Sequence, residues 1–351
     1  MSAQTPPARE WSLDILRVIA IAGVVSIHTF GNVVVDPAVH GSARWWYAVI
    51  MDAGFVWAVP VFVMISGALI LAPRQHERGP AWFYRRRLLR LAPAFVFWPI
   101  FYVVVVRVLM LGQHFSPSAW VAMFVDGKTY SQLYFLWLIV GLYAVAPVLA
   151  AFLREGGRRR ALMLAACVLA ATTLTWASAS LLTYLGHPRP MTLISLTQWV
   201  PYVGYFVAGW ALAQVRLRGL ALAAAAAATA ALLAGYVWLY GTADQHPLLA
   251  AALPNTYPGP LVVLASIGIF VVSASLFAKV APGPRVAAVL RELSDAAFGV
   301  FLVHFAIVTL LRPLFDPDHP VAVTALWLVT LVLSFAAAMV MRRIPGVRRL
   351  V

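Results

Sequence analysis

Acidic residues are scarce in this chain. Of 351 residues only 12 are Asp or Glu, and all charged residues together make up 11%, under half the share found in soluble domains, which excludes a well-solvated globular surface. Cysteine is nearly absent: the one residue, Cys167, lies inside an apolar stretch, which rules out an internal disulfide and a cysteine-rich metal site and leaves packing as its expected role. No long polar block interrupts the sequence either, so no separate soluble domain is expected. What is present instead is 63% hydrophobic residues and a mean hydropathy of +0.87, with apolar runs of about 18 or more residues recurring from end to end. The reading is an all-α polytopic membrane protein, a single transmembrane domain over residues 1–351.

Apolar runs set against breakers place about ten transmembrane helices near 12–35, 46–72, 91–112, 133–153, 161–185, 199–215, 219–240, 260–280, 293–315 and 321–341. An even number puts both termini on one side. The net charge of +14 would suggest a nucleic-acid partner in a soluble protein, but its distribution makes it a topology signal. Most Lys and Arg fall in alternate connections: Arg9, the run from Arg74 to Arg90, Arg154 to Arg160, Arg216 and Arg218, Lys279 to Arg291, and Arg342 to Arg349. Both termini are therefore expected in the cytoplasm, with the chain multi-pass in the cytoplasmic (inner) membrane, membrane lipids as partners and no nucleic acid. The opposite loops carry turn-forming Pro, Gly, His and Asp, as in Asp316-Pro317-Asp318-His319-Pro320. The alanine run 223–228 reads as a small-residue packing face. A cleaved signal peptide over residues 1–43 is the alternative for the first apolar run, although a disposable segment has no use for Asp14, Arg17 and His28.

Ionisable side chains inside membrane spans cost several kcal/mol at mid-bilayer, so each one marks a pairing or a function. They are Asp14, Arg17, His28, Asp52, Arg107, Asp295, His304 and Arg312. Asp14 can cap the first span or pair with Arg17, one turn on. Arg17 and His28 are eleven residues apart, close to three full turns, so they share a helix face at an axial separation of about 16 Å. A fixed cation at one end of a face and an imidazole at the other suit a long anionic ligand; two unrelated polar residues paired to neighbouring helices remain the alternative. Before the third span, Arg85, Arg86, Arg87 and Arg90 are either a topology determinant contacting anionic lipid or a phosphate-recognition cluster. Asp52 and Arg107 both fall at the depth expected for His28: Asp52 could orient the imidazole and Arg107 could polarise a thioester or bind an acceptor phosphate, or the two could form an ion pair with no chemistry. No metal motif is legible.

Taken in order, these residues resemble acyltransferase family 3, integral-membrane enzymes that acylate, usually O-acetylate, surface glycans and related acceptors. The resemblance rests on Ser12-Leu13-Asp14-Ile15-Leu16-Arg17 followed by His28, on Val59-Pro60-Val61-Phe62 with Ile65-Ser66-Gly67, on the stretch from Arg87 to Pro93, on Tyr202-Val203-Gly204-Tyr205-Phe206 with Gly209, and on Leu293-Ser294 through His304. It covers nearly all of the transmembrane core. One departure is Gln132-Leu133-Tyr134 where many members have histidine-leucine-tryptophan, and the appended esterase-like domain of some members is not matched. The resemblance implies acetyl-CoA, or another acyl-CoA, as donor substrate. Arg85, Arg86, Arg87 and Arg90 would take its phosphates, and Arg17, Ser66 and His304 its pantetheine arm. His28 would be the general base, with Arg17 and Asp52 in catalytic support. Arg107, Gln132 and Tyr134 would face the acceptor, a glycan or lipid-linked saccharide, and no metal is implied. No Ser-His-Asp or Cys-His arrangement is legible, which favours direct transfer over an acyl-enzyme. A transporter or flippase of a cell-envelope polysaccharide intermediate is the competing class, since intramembrane charges also mark permeation paths; against it stands the lack of an internal repeat. A non-catalytic scaffold is the third.

Overall fold

The computed structural model describes residues 10–351; Arg9, counted above among the clustered basic residues, lies outside them. Among the described residues every regular element is helical. The α-helices are α1 (Trp11–Val34), α2 (Ala43–Ala53), α3 (Ala58–Ile70), α4 (Gly79–Phe101), α5 (Pro117–Val125), α6 (Tyr134–Tyr184), α7 (Val203–Leu212), α8 (Gly219–Gly241), α9 (Pro247–Ala252), α10 (Pro260–Leu276), α11 (Pro284–Leu311) and α12 (Pro320–Arg343). Five of them, α5, α9, α10, α11 and α12, open on proline, whose missing N–H is one of the unpaired donors of a first turn anyway. Ser42 starts α2 by accepting the Trp45 N–H at 3.2 Å, as a helix N-cap does.

Among the described residues seven segments are long and apolar enough to cross a membrane by length and composition, and α10 is a shorter apolar helix. Boundaries differ from the sequence reading for identifiable reasons. The stretch 46–72 is interrupted by turns at residues 54–57, so α2 and α3 share one crossing. The third span begins at Gly79, ahead of the apolar run, because the arginine stretch is itself helical. Past Pro93 and Pro99 the same segment widens into a π-helix, Tyr102–Met110, where proline has removed N–H groups from the hydrogen-bond ladder. The runs 133–153 and 161–185 are joined as α6, broken at Gly157 with φ 58° and ψ −153°, a conformation that favours glycine. The chain reverses there: Tyr134 and Trp176 both lie near Tyr202 and Tyr257 at one end of the bundle, while Arg154 faces His76 at the other.

Close backbone contact locks the centre. A Cβ on Gly67 of α3 would collide with the Phe206 carbonyl of α7, and one on Gly209 of α7 with the Met64 carbonyl of α3, the small-residue packing that lets membrane helices approach. Of the alanine run, only Ala225 and Ala226 turn toward the bundle. Most of its residues are exposed, and α8 meets α10 through Thr229 against Gly268; alanine is apolar enough to face outward in a membrane protein.

Candidate active site

Two α1 residues set the axis of the site. Arg17 donates to Ser294 Oγ of α11 at 2.8 Å, and that hydroxyl donates to Asp14 Oδ1 at 2.5 Å. Asp14 and Arg17 also approach to 3.6 Å, so Asp14 pairs with Arg17 rather than capping its helix. This triad ties α1 to α11, and its Arg17 and Ser294 stand in the wall of a cavity of about 550 Å³, within the usual range for small-molecule sites.

The cavity walls are helix faces. Arg17 and Val24 line it from α1, Val59, Phe62, Ser66 and Leu69 from α3, Phe135, Ile139 and Tyr143 from α6, and Ser294, Ala297, Phe298 and Phe301 from α11, each set spaced by three or four residues or by two turns. At its mouth stand Arg74, Arg86, Arg87, Arg90 and Arg342. Arg87 is the most enclosed of the α4 arginines: it donates to Gln75 Oε1 at 2.8 Å, lies over the Phe83 and Tyr143 rings at 5.5 Å each, and leaves its Nε without a partner. A buried guanidinium N–H with no acceptor is a costly group awaiting one. Arg85 is exposed and takes no part in the lining, because it lies a further 100° around α4 from Arg86. His76, in the turn before α4, accompanies the mouth: it stacks on Phe83 at 4.8 Å and its Nε2 meets the Ile70 carbonyl at 2.8 Å. Burial, and then the nearby Arg154 and Arg87 charges, hold its imidazole below the ordinary histidine value.

The cavity climbs α1 as far as Val24 and α11 as far as Phe301. One turn beyond each lie His28 and His304, stacked with ring centroids 5.3 Å apart. His304 is fully buried, and its Nδ1 contacts the Phe301 carbonyl at 2.8 Å and the Val300 carbonyl at 3.1 Å. Those acceptors place the proton on Nδ1 and leave Nε2 as a free lone pair, matched by its lack of any partner. Phe305 packs on His28 at 4.7 Å and on Tyr130 at 4.8 Å, and Arg312 donates to the His28 carbonyl at 2.9 Å.

Other expected site residues lie elsewhere. Asp52 does not sit on the His28 imidazole: it shares a second pocket with Ile27 and faces Gly31, a face of α1 turned about 100° from His28. Arg107 does not meet Asp52. It donates to Gln113 Oε1 at 2.9 Å and lies 4.5 Å over Phe115, so it ties down its own following loop. Equal depth on two helices does not bring them together because depth says nothing about azimuth. Gln132 is buried, with its amide beside the Tyr102 hydroxyl; the Tyr102 and Tyr130 rings are 4.7 Å apart. Tyr134 turns instead toward Tyr202 and Tyr257.

Sequence reasoning misses Tyr143 and Gln75, although Phe135, Ile139 and Tyr143 repeat every four residues. Among the described residues no cluster of three or more potential metal ligands exists. No match is found among curated proteins or solved structures. The sequence model of one family, described as an acyltransferase domain, does match, over residues 10–343. With Arg17, His28, the α4 arginines and His304 all inside that range, the chain is a multi-pass membrane protein of acyltransferase family 3.

Proposed function

We propose that this acyltransferase is an O-acetyltransferase of the cytoplasmic membrane that moves an acetyl group from acetyl-CoA to a hydroxyl of an extracytoplasmic or lipid-linked glycan. The observation that carries the reading is the arginine-mouthed cavity, which follows the Arg17 face of α1 and stops one turn short of His28 and His304. Its charge is graded as acyl-CoA requires. Arg86, Arg87 and Arg90 suit the phosphates, Arg17 and Ser66 the amides of the pantetheine arm, and the Phe62, Phe135 and Phe301 walls its apolar portions. The distance from Arg17 to His28, about 16 Å along the helix, suits an extended arm that delivers the thioester to the imidazole.

In the proposed reaction His28 accepts the proton of the acceptor hydroxyl. The oxygen adds to the thioester carbonyl, the carbon–sulfur bond breaks, the acetyl ester forms, and the thiol leaves with the proton. His304, its Nδ1 engaged by backbone carbonyls, holds the His28 ring by stacking. Ten crossings with cytoplasmic termini belong to the same proposal, supported by the two arms of α6, by α10, by α7 continued through the turn Val200–Tyr202 before it, and by the gathering of arginines at the cavity mouth.

Calorimetry of acetyl-CoA against the full-length protein tests the donor. Saturable binding is expected in wild type and at least tenfold weaker binding in Arg17→Ala; absence of binding at millimolar acetyl-CoA overturns the reading in favour of transport.

A further inference from the structure

At the end of the bundle opposite the arginines, the second pocket has a different chemistry. It encloses about 390 Å³ and adjoins another of about 320 Å³ with which it shares Tyr236, Tyr240 and Asn255. His40 and Trp45 flank the adjoining space, so the two form one groove leading inward from the 241–260 connection. Asp52 lies at its inner end beside Ile27. Among the described residues the Asp52 carboxylate accepts no hydrogen bond and joins no ion pair, and Tyr236, Tyr240 and Tyr257 line the same pocket. An intramembrane carboxylate without a protein partner marks a ligand site by default.

We propose that this groove is a saccharide subsite, in which Asp52 accepts hydrogen bonds from ring hydroxyls and the Trp176 and Tyr240 rings flank the sugar faces. It deepens the acyltransferase reading and rests on it, because it names where the acceptor chain is held while one of its hydroxyls reaches His28. The lining favours a sugar over other ligands. A lipid tail has no use for the carboxylate, and a phosphate would be repelled by it. A quaternary ammonium would suit Asp52 and the aromatic rings but would leave the Asn255 amide and the buried, unpartnered Thr256 hydroxyl without a role. A polyhydroxylated ring uses all of them: donors to Asp52, acceptors for Asn255 and Thr256, and an apolar face for the aromatics. Asp52 is then a residue that holds the acceptor, not a partner of the imidazole.

The test is saturation-transfer NMR on the full-length protein in lipid nanodiscs, avoiding detergents whose head group is itself a sugar. The probes are maltose, lactose and N,N′-diacetylchitobiose, with choline as the competing class. Saturable transfer to at least one sugar is expected, reduced at least fivefold in Asp52→Asn and in Trp176→Ala, with acetyl-CoA affinity unchanged in both variants. Transfer that neither replacement diminishes, saturation by choline alone, or no transfer to any of the sugars overturns the proposal. Acetyl-CoA binding in the same samples separates the two readings: its loss with sugar binding intact defeats the donor assignment alone, and the reverse defeats the saccharide subsite alone.

Discussion

The two ends of this bundle handle polarity in opposite ways. At one end, Arg86, Arg87, Arg90, Arg74 and Arg342 crowd a cavity whose deeper cation, Arg17, is already engaged by Ser294 and Asp14. At the other, a lone carboxylate stands among phenols and an indole. The cationic end uses fixed, forked donors that match phosphate. The anionic end offers acceptors and flat rings, which match neutral hydroxylated rings. Opposite chemistry at opposite ends of one bundle is the arrangement expected of a protein with two unlike substrates, and the histidine pair lies between.

The comparison breaks most sharply at its middle. His28→Ala is expected to reduce acetyl transfer by about 100-fold or more, the range of a lost general base, with acetyl-CoA affinity unchanged; O-acetyl content of the envelope glycans, read by NMR, checks it, and undiminished acetylation removes His28 from the chemistry. At the cationic end, replacing Arg87 and Arg90 together with Gln removes two charge-assisted contacts worth about 1.5–3 kcal/mol each. Acetyl-CoA binding should weaken at least tenfold in calorimetry, and unchanged affinity would return the cluster to a topology role. The rigid frame between the two ends is tested by Gly67→Ala, which sets a methyl against the Phe206 carbonyl. Separating α3 from α7 should cost about 1–3 kcal/mol, seen as a lowered melting temperature with the family fold retained.

The smallest effect concerns the mouth. His76 lies outside the spans with its folded value held below the ordinary 6.5 by burial first and then by Arg154 and Arg87. The unfolded chain therefore binds more protons than the folded one over the interval below 6.5, and stability there rises with pH. The His76 contribution is complete above the unfolded value and is lost as pH falls through it toward the lower folded value. Melting temperature should thus decline on acidification from pH 7 to about 5, less steeply in His76→Gln.

Much of the fold and of the arginine-mouthed cavity is legible in the sequence, and the limits have a geometric cause. Within one helix, spacing fixes both depth and face, so the residue numbers alone place Arg17 and His28 on a common stripe, and Arg87 with Arg90 on another. Between helices spacing fixes neither partner. His28 against His304, Arg17 against Ser294, and Asp52 among Tyr202, Tyr236, Tyr240 and Tyr257 join residues far apart in the chain. Depth alone suggests Asp52 with Arg107 and Asp52 with His28, and rotation about the helix axes undoes both. A usable signal for the tyrosine pocket does exist: Tyr236 and Tyr240 are four apart on α8, a polar stripe on an otherwise apolar helix. By hydropathy the arginine stretch precedes its helix, yet its residues form the first turns of α4, since arginine is a good helix former whether or not it is in lipid.

The two cavities have no lining residue in common. Between the upper limit of the first, at Val24 and Phe301, and the layer of Tyr102, Tyr130 and Phe305 stands the histidine stack. Under the proposed reaction this layer is a septum, and its consequence is vectorial. If acetyl-CoA is the donor and a glycan the acceptor, as proposed, the two would share no solvent compartment: the bulky, highly charged nucleotide would remain on its own side, and a two-carbon fragment would be all that changes sides. The barrier to ions is then kept during turnover without any large gate, because the cargo is handed from one bond to another at the septum itself.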